Sequence, residues 1–144
     1  SGKEGVTLTS TGYMTNHGTI NSEKDIAITA KSLTNNKDIT AGRTLNINTT
    51  YDVTNNANSR ISGLTTRVNA ENVSNRGKLE AGSRLNVTAN KNVYNYDSMF
   101  TAGNAVIHAQ SIFNSGSSAV MGGTRGLDVT PATIGGEGGR VVGL

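Results

Sequence analysis

Residues 25–47 read DIAITAKSLTNNKDITAGRTLNI, and this stretch holds one complete unit of the pattern that organises the chain. Ile26 and Ile28 alternate with polar or small neighbours. Leu33 follows, two residues before Asn35; Ile39 stands alone after that. Gly42 comes next, and Leu45 and Ile47 open the alternation again. A period of two puts successive side chains on opposite faces of a strand. The Asn, Lys, Asp and Gly residues between the apolar positions supply turns. A helical reading fails, because apolar residues do not recur at i, i+3 and i+4, and Asn, Thr and Gly are poor helix formers.

The unit repeats in both directions. An apolar residue, any residue and Asn occur together at Met14-Thr-Asn16, Leu33-Thr-Asn35, Val53-Thr-Asn55, Val73-Ser-Asn75, Val93-Tyr-Asn95 and Ile112-Phe-Asn114. Successive asparagines are 19, 20, 20, 20 and 19 residues apart. An alternating pair precedes most anchors: Val6/Leu8, Ile26/Ile28, Leu45/Ile47, Leu85/Val87 and Ala105/Ile107, with Thr66/Val68 a weaker version. A third apolar site follows at Ile20, Ile39, Ile61, Leu79 and then Met99 or Phe100. Glycine closes several units, at Gly42, Gly63, Gly82, Gly103 and Gly122.

A unit of about 20 residues with three short strands cannot bury its own apolar side. Stacked units can, each strand pairing in parallel with its equivalent in the next coil. The expected fold is therefore all-β, a parallel β-helix (solenoid) with about 20 residues and three short strands per coil. Six coils at ~4.8 Å spacing make a rod roughly 30 Å long. Leucine-rich repeats share the period but need a different Leu pattern, and a propeller blade is about twice as long.

Stacking places like over like. Asn16, Asn35, Asn55, Asn75, Asn95 and Asn114 are expected to form a structural ladder along one corner, each amide bonded to the next. Asn also tolerates the left-handed conformation of a sharp corner. The corner glycines Gly42, Gly63, Gly82 and Gly103 are expected to serve the same end at another corner. Coils are expected over residues 5–129. Residues 1–4 read as a lead-in or an artificial scar, beginning Ser1-Gly2. From residue 123 the pattern decays, and residues 130–144, with Pro131 and Gly135, Gly136, Gly138 and Gly139, read as a Gly-rich tail or transition. The run Gly135–Arg140 approaches a calcium-binding β-roll motif, but Arg140 stands where that motif needs Asp.

Composition bounds the function. The chain has 144 residues, 34% of them hydrophobic, one proline and no cysteine, which rules out disulfides and thiol chemistry. No apolar run approaches membrane-spanning length, and no basic-then-apolar leader opens the chain. The expectation is a piece of a longer parent whose targeting signals lie elsewhere. The formal net charge is +3. Arg60, Arg67, Arg76, Lys78, Arg84 and Lys91 face only Glu71 and Glu80 in their stretch, which reads as an ordinary solvated surface or as a patch for acidic glycans or nucleic acid, the solvated surface being the favoured reading.

With these residues in view, a resemblance can be stated. Asp25-Ile-Ala-Ile-Thr-Ala30 leading to Leu33-Thr-Asn-Asn36, then Ile39-Thr-Ala-Gly42 and Leu45-Asn-Ile47, resembles the haemagglutinin repeats of filamentous haemagglutinins. The pattern returns at Leu79-Glu-Ala-Gly82 with Leu85-Asn-Val87, and at Phe100-Thr-Ala-Gly103. The resemblance implies a right-handed β-helical rod within a very large exoprotein, exported by the two-partner route through an outer-membrane transporter. Such proteins are host-cell adhesins or the sticks of contact-dependent inhibition systems. A secreted, cell-surface location follows from the same resemblance. The implied partner is a receptor or glycan on a host cell or neighbouring bacterium.

Chemistry-bearing residues are sparse. The aspartates Asp25, Asp38, Asp52, Asp97 and Asp128 fall at different phases of the repeat, so no carboxylate pair of the kind a β-helix glycosidase needs is expected. His17 and His108 are about five coils apart and cannot share a metal. No catalysis, cofactor, metal or nucleic acid is expected. The most unusual surface is aromatic: Tyr94 and Tyr96 flank Asn95, with Phe100, Lys91 and Asn92 close in sequence, a set able to stack on a sugar ring or a base. Asn48, Asn72 and Asn86 begin Asn-x-Ser/Thr triplets. Two functional classes stand: a shaft that extends an active tip, and a module that itself binds a receptor or glycan. An excised solenoid also exposes strand edges and is expected to associate end to end.

Overall fold

The computed structural model describes residues 3–144; Ser1-Gly2, the supposed scar, lies outside the described residues. It is all-β, with parallel strands stacked as a solenoid of about seven coils and roughly 20 residues per coil. The first three coils contain β1 (Gly5–Thr9), β2 (Tyr13–Asn16), β3 (Thr19–Ser22), β4 (Asp25–Ala30), β5 (Ser32–Asn35), β6 (Asp38–Ala41), β7 (Thr44–Thr49) and β8 (Val53–Asn55). Next come β9 (Arg60–Ala70), β10 (Val73–Asn75), β11 (Lys78–Ala89), β12 (Asn92–Asn95) and β13 (Ser98–Thr101). The last are β14 (Asn104–His108), β15 (Ser111–Asn114), β16 (Val120–Gly123), β17 (Gly126–Thr130) and β18 (Arg140–Val142).

The register turns the sequence repeat into columns. Val6/Leu8 pair with Ile26/Ile28, these with Leu45/Ile47, then Thr66/Val68, Leu85/Val87, Ala105/Ile107 and Leu127/Val129. The anchors Met14, Leu33, Val53, Val73, Val93 and Ile112 form a second column. Ile20, Ile39, Ile61, Leu79, Met99, Met121 and Val141 form the third. The interior of the rod is where these columns meet, and from Ile26 to Met121 most of their members are fully buried. Each buried Leu or Ile contributes ~1.5–3 kcal/mol. The anchor strands make a six-stranded sheet of their own. The other two columns belong to one twelve-stranded sheet, because β9 and β11 run through the corner between the third strand of one coil and the first strand of the next.

The corners correct several expectations. None of Gly42, Gly63, Gly82 and Gly103 has a positive φ, so the left-handed region is not the reason for glycine there. A Cβ on Gly42 would collide with the Glu23 carbonyl, and one on Gly103 with the Ser83 carbonyl, in each case in the coil beneath. At these two corners glycine is needed because backbone approaches backbone across the stack. Nor do the four form one column. Gly63 pairs with Ala81, one place before Gly82, because coil three closes through Leu64 alone where its neighbours use two residues. The register shift between Ala81 and Arg84 absorbs that difference and leaves Leu64 52% exposed. Among the described non-glycine residues only Asn58 has a positive φ, so the ladder asparagines are not left-handed either.

Residues 130–144, read above as a tail or transition, follow the coil path. Gly135 bridges Phe113, Ile134 packs on the core, and β18 pairs with β16. The apolar-x-Asn unit is present there as Ile134-Gly135-Gly136. Gly136 stands where Asn is expected, with φ +96°, and a Cβ on it would lie 2.6 Å from the Asn114 carbonyl oxygen. The seventh coil lacks the asparagine that marks the others, which is why its pattern looks decayed.

Candidate contact face

The six-stranded sheet has one side turned inward and one outward. Its inward side ends in the asparagines. Nδ2 of Asn16 donates to Oδ1 of Asn35 at 2.8 Å, and the chain continues from Asn35 to Asn55, Asn75, Asn95 and Asn114, each at 2.9 Å. The same Nδ2 atoms reach main-chain carbonyls, as Asn75 reaches Gly77 at 2.9 Å and Ser98 at 2.7 Å. Each asparagine thus ties the anchor strand to the start of the third strand and one coil to the next. All six are buried.

The outward side is different in kind. Its central column runs Thr15, Thr34, Thr54, Ser74, Tyr94, Phe113 and Gly135. Small hydroxyl residues occupy the first coils and aromatics the later ones. Tyr94 and Phe113 stack with centroids 5.3 Å apart and planes 9° from parallel. Gly135 continues the column without a side chain, and a Cβ there would press on the Phe113 ring at 2.9 Å. At the corner beyond the ladder, the Arg76 guanidinium lies over the Tyr96 ring, 4.2 Å from its centroid. Such pairs contribute ~0.5–1 kcal/mol at exposed sites and hold the ring in place.

Beside the hydroxyl column runs a polar one: Ser32, Asp52, Asn72 and Asn92. Ser32 Oγ accepts from the Asp52 amide at 3.2 Å, Asn72 Nδ2 donates to Asp52 Oδ1 at 3.1 Å, and the Asn92 amide donates to Asn72 Oδ1 at 3.1 Å. Lys91 extends from the adjacent corner and pairs with Glu71 at 3.1 Å. Together with Thr54, Ser74, Tyr94 and Tyr96 these residues line a groove of ≈ 390 Å³. A second hollow of ≈ 510 Å³ shares Asp52, Asn72 and Lys91 with it and is walled by Tyr13 and Tyr51. All four tyrosines of the chain therefore border this one face.

Of the residues singled out from sequence, Lys91, Tyr94 and Tyr96 meet here. Phe100 does not. In β13, Met99 takes the inward place and Phe100 turns outward on the third-strand face, lining a separate cleft with Lys78, Val120 and Val142. Phe113 was missed, although its spacing of 19 residues from Tyr94 matches the repeat. Asp52 and Asn72, two coils and one coil away from Tyr94 along the rod, were missed as groove residues for the same reason: they are near only across coils.

The local basic excess is largely spent on neighbours. Arg60 Nη1 meets Glu80 Oε1 at 3.0 Å and Lys78 Nζ meets Asp97 Oδ1 at 3.1 Å. Glu80 Oε2 also accepts from Ser98 Oγ at 2.6 Å. Lys91 is paired with Glu71 and Arg76 lies on Tyr96. His108 Nε2 lies 3.4 Å from Asp128 Oδ1 on the next coil.

A stacked parallel solenoid with an asparagine column inside and shallow grooves outside defines a class, the rod-forming repeat proteins that offer surface rather than an enclosed chamber. The chain belongs to the filamentous haemagglutinin family: the model of the haemagglutinin repeat matches residues 1–77 and again 49–136. It is a repeat segment of a haemagglutinin-like exoprotein shaft. That family is structural and adhesive rather than enzymatic, and its members are typically secreted surface exoproteins. Neither the curated proteins nor the solved structures gave a match.

Proposed function

We propose that this shaft segment is displayed outside the bacterial cell and that it takes part in adhesion through its six-stranded face. The parent would reach the surface through an outer-membrane two-partner transporter. The absence of cysteine suits a chain that crosses membranes unfolded and folds afterwards. The observation that carries the adhesive reading is the gathering of Tyr13, Tyr51, Tyr94 and Tyr96 on one outward face of the rod. Tyrosine offers large, rigid, amphipathic contact area, and residues of this kind dominate recognition surfaces.

The test is binding of the labelled fragment to host epithelial cells and to related bacteria, side by side, by flow cytometry. Saturable binding to either class supports an adhesive face and assigns the parent to host attachment or to contact between bacteria. Absence of binding to both, by a fragment that circular dichroism shows to be folded, reduces the segment to shaft.

A further inference from the structure

We infer that the groove between Tyr94 and Asp52 is a binding site for a neutral pyranose glycan, an inference that rests on the reading of this face as a contact surface. One side of the Tyr94 ring is covered by Phe113 at 5.3 Å. The other side looks along the column over Ser74 and Thr54, whose side chains are too small to cover it. Part of the wall is ordered before any ligand arrives, because Phe113 stacks on Tyr94 and Arg76 lies on Tyr96. Preorganisation of this kind lowers the ordering cost of binding.

A pyranose presents two chemistries, an apolar C–H face and a rim of hydroxyls. The exposed face of Tyr94 suits the first. For the second, the groove supplies the Asp52 carboxylate, the amides of Asn72 and Asn92, and the Lys91 ammonium. Asp52, Asn72 and Lys91 are held in position: Asn72 Nδ2 donates to Asp52 Oδ1 and Asn72 Oδ1 accepts from the Asn92 main-chain amide, each at 3.1 Å, and Lys91 pairs with Glu71 at 3.1 Å. The volume of ≈ 390 Å³ falls at the small end of the ~300–1,000 Å³ common for ligand sites.

Charge selects among glycans. Lys91 and Glu71 offset one another, and Asp52 has no cationic partner among the described residues. With Arg76 over the Tyr96 wall, the charges around the groove balance and it carries no net charge. Sulfated or sialylated chains, and nucleic acid, would bring like charge to Asp52, while the nearby cations are already engaged, Lys91 by Glu71 and Arg76 by the Tyr96 ring.

The experiment uses immobilised neutral oligosaccharides ending in galactose, glucose, mannose or N-acetylglucosamine, beside sulfated and sialylated ones. The proteins are the fragment and its Tyr94→Phe, Tyr94→Ala and Asp52→Asn variants, each checked for fold by circular dichroism. Binding to one or more neutral glycans is expected, weakened about tenfold or more by Tyr94→Ala and less than about threefold by Tyr94→Phe, which keeps the ring. Asp52→Asn should weaken it several-fold, since a charged acceptor forms the stronger hydrogen bond. Binding confined to charged glycans, binding to none, or a Tyr94→Ala variant that binds as the parent does would each overturn the site. Cell binding separates this failure from failure of the adhesive reading. If Tyr94→Ala abolishes attachment to cells while the free sugars do not compete, the face is a contact surface for protein and the glycan assignment falls alone. If the folded parent attaches to no cell and to no glycan, both fall.

Discussion

Asn75 donates from its side-chain nitrogen to the side-chain oxygen of Asn95, 2.9 Å away and one coil further on, in an interior from which both are wholly excluded from solvent. The same nitrogen reaches the Gly77 and Ser98 carbonyls, and its oxygen accepts from Asn55 at 2.9 Å and from the Gly77 amide at 3.2 Å. Every polar atom of the side chain is occupied. A buried polar column is stabilising only while it is complete.

Replacing Asn75 by Ala should therefore cost roughly 2–4 kcal/mol, because it takes the side-chain donor from Asn95 Oδ1 and the acceptor from the Gly77 amide in a place water does not reach. Urea unfolding measures the loss. A cost under about 0.5 kcal/mol would contradict the ladder as a source of stability. Asn75→Asp makes a sharper test. The new carboxyl faces carbonyl oxygens and the Asn95 Oδ1, so its ionised form is disfavoured in the fold and its folded pKa lies above the unfolded value. The protonated acid can donate where the amide did. The variant should then be least impaired below the unfolded pKa and lose stability as pH rises through the folded one. Unfolding at acid and neutral pH, with the parent as reference, reads the difference.

Thr66 occupies a fully buried place in the first column, between Leu45 and Leu85. Valine would complete an apolar column and looks like an improvement. Yet Thr66 Oγ1 accepts from the Gly63 amide at 2.9 Å and donates to the Glu80 carbonyl at 2.8 Å, at the shortened corner around Leu64. Thr66→Val should destabilise by about 1–3 kcal/mol, since the orphaned amide costs more than one methyl gains. A more stable variant by thermal unfolding would show that the corner relaxes.

Glycines at two corners should behave in opposite ways. Gly42→Ala forces a Cβ into the Glu23 main chain and should lower stability by more than about 1 kcal/mol. At Gly18 nothing lies within 4 Å of an added Cβ, and φ is not positive. Gly18→Ala should be neutral or stabilise by up to about 1 kcal/mol through the unfolded chain. Paired thermal melts decide, and equal effects would refute the packing argument.

Arg60 and Glu80 pair at 3.0 Å, but the Arg60 side chain is 46% exposed. Arg60→Ala should change stability by about 0–1 kcal/mol, less at high salt. A larger loss would mean that the outer charges of this rod act as a network rather than as separate pairs.

The repeat made the interior legible and the exterior much less so. Leu33, Val53, Val73 and Val93 share a spacing, so their column could be read directly. The choice between Met99 and Phe100 could not, because a one-residue difference in turn length exchanges inside for outside. Gly136 concealed the seventh coil, since the mark by which a coil is recognised is absent from it. Tyr94 drew attention by its neighbour Tyr96, while its stacking partner Phe113 and the groove residues Asp52 and Asn72 lie on other coils.

By itself, the sequence determined the solenoid and most members of its three inner columns. In-register parallel stacking maps equal phases onto equal places, so a constant period is already a three-dimensional statement. Only the tertiary structure decided the corners and the outer face. There, turns of unequal length shift the phase, Leu64 stands in for a two-residue corner, and side chains from different phases and coils converge on one groove. Convergence of that kind depends on how far each corner swings the chain, and the alternation of polar and apolar residues carries no record of it.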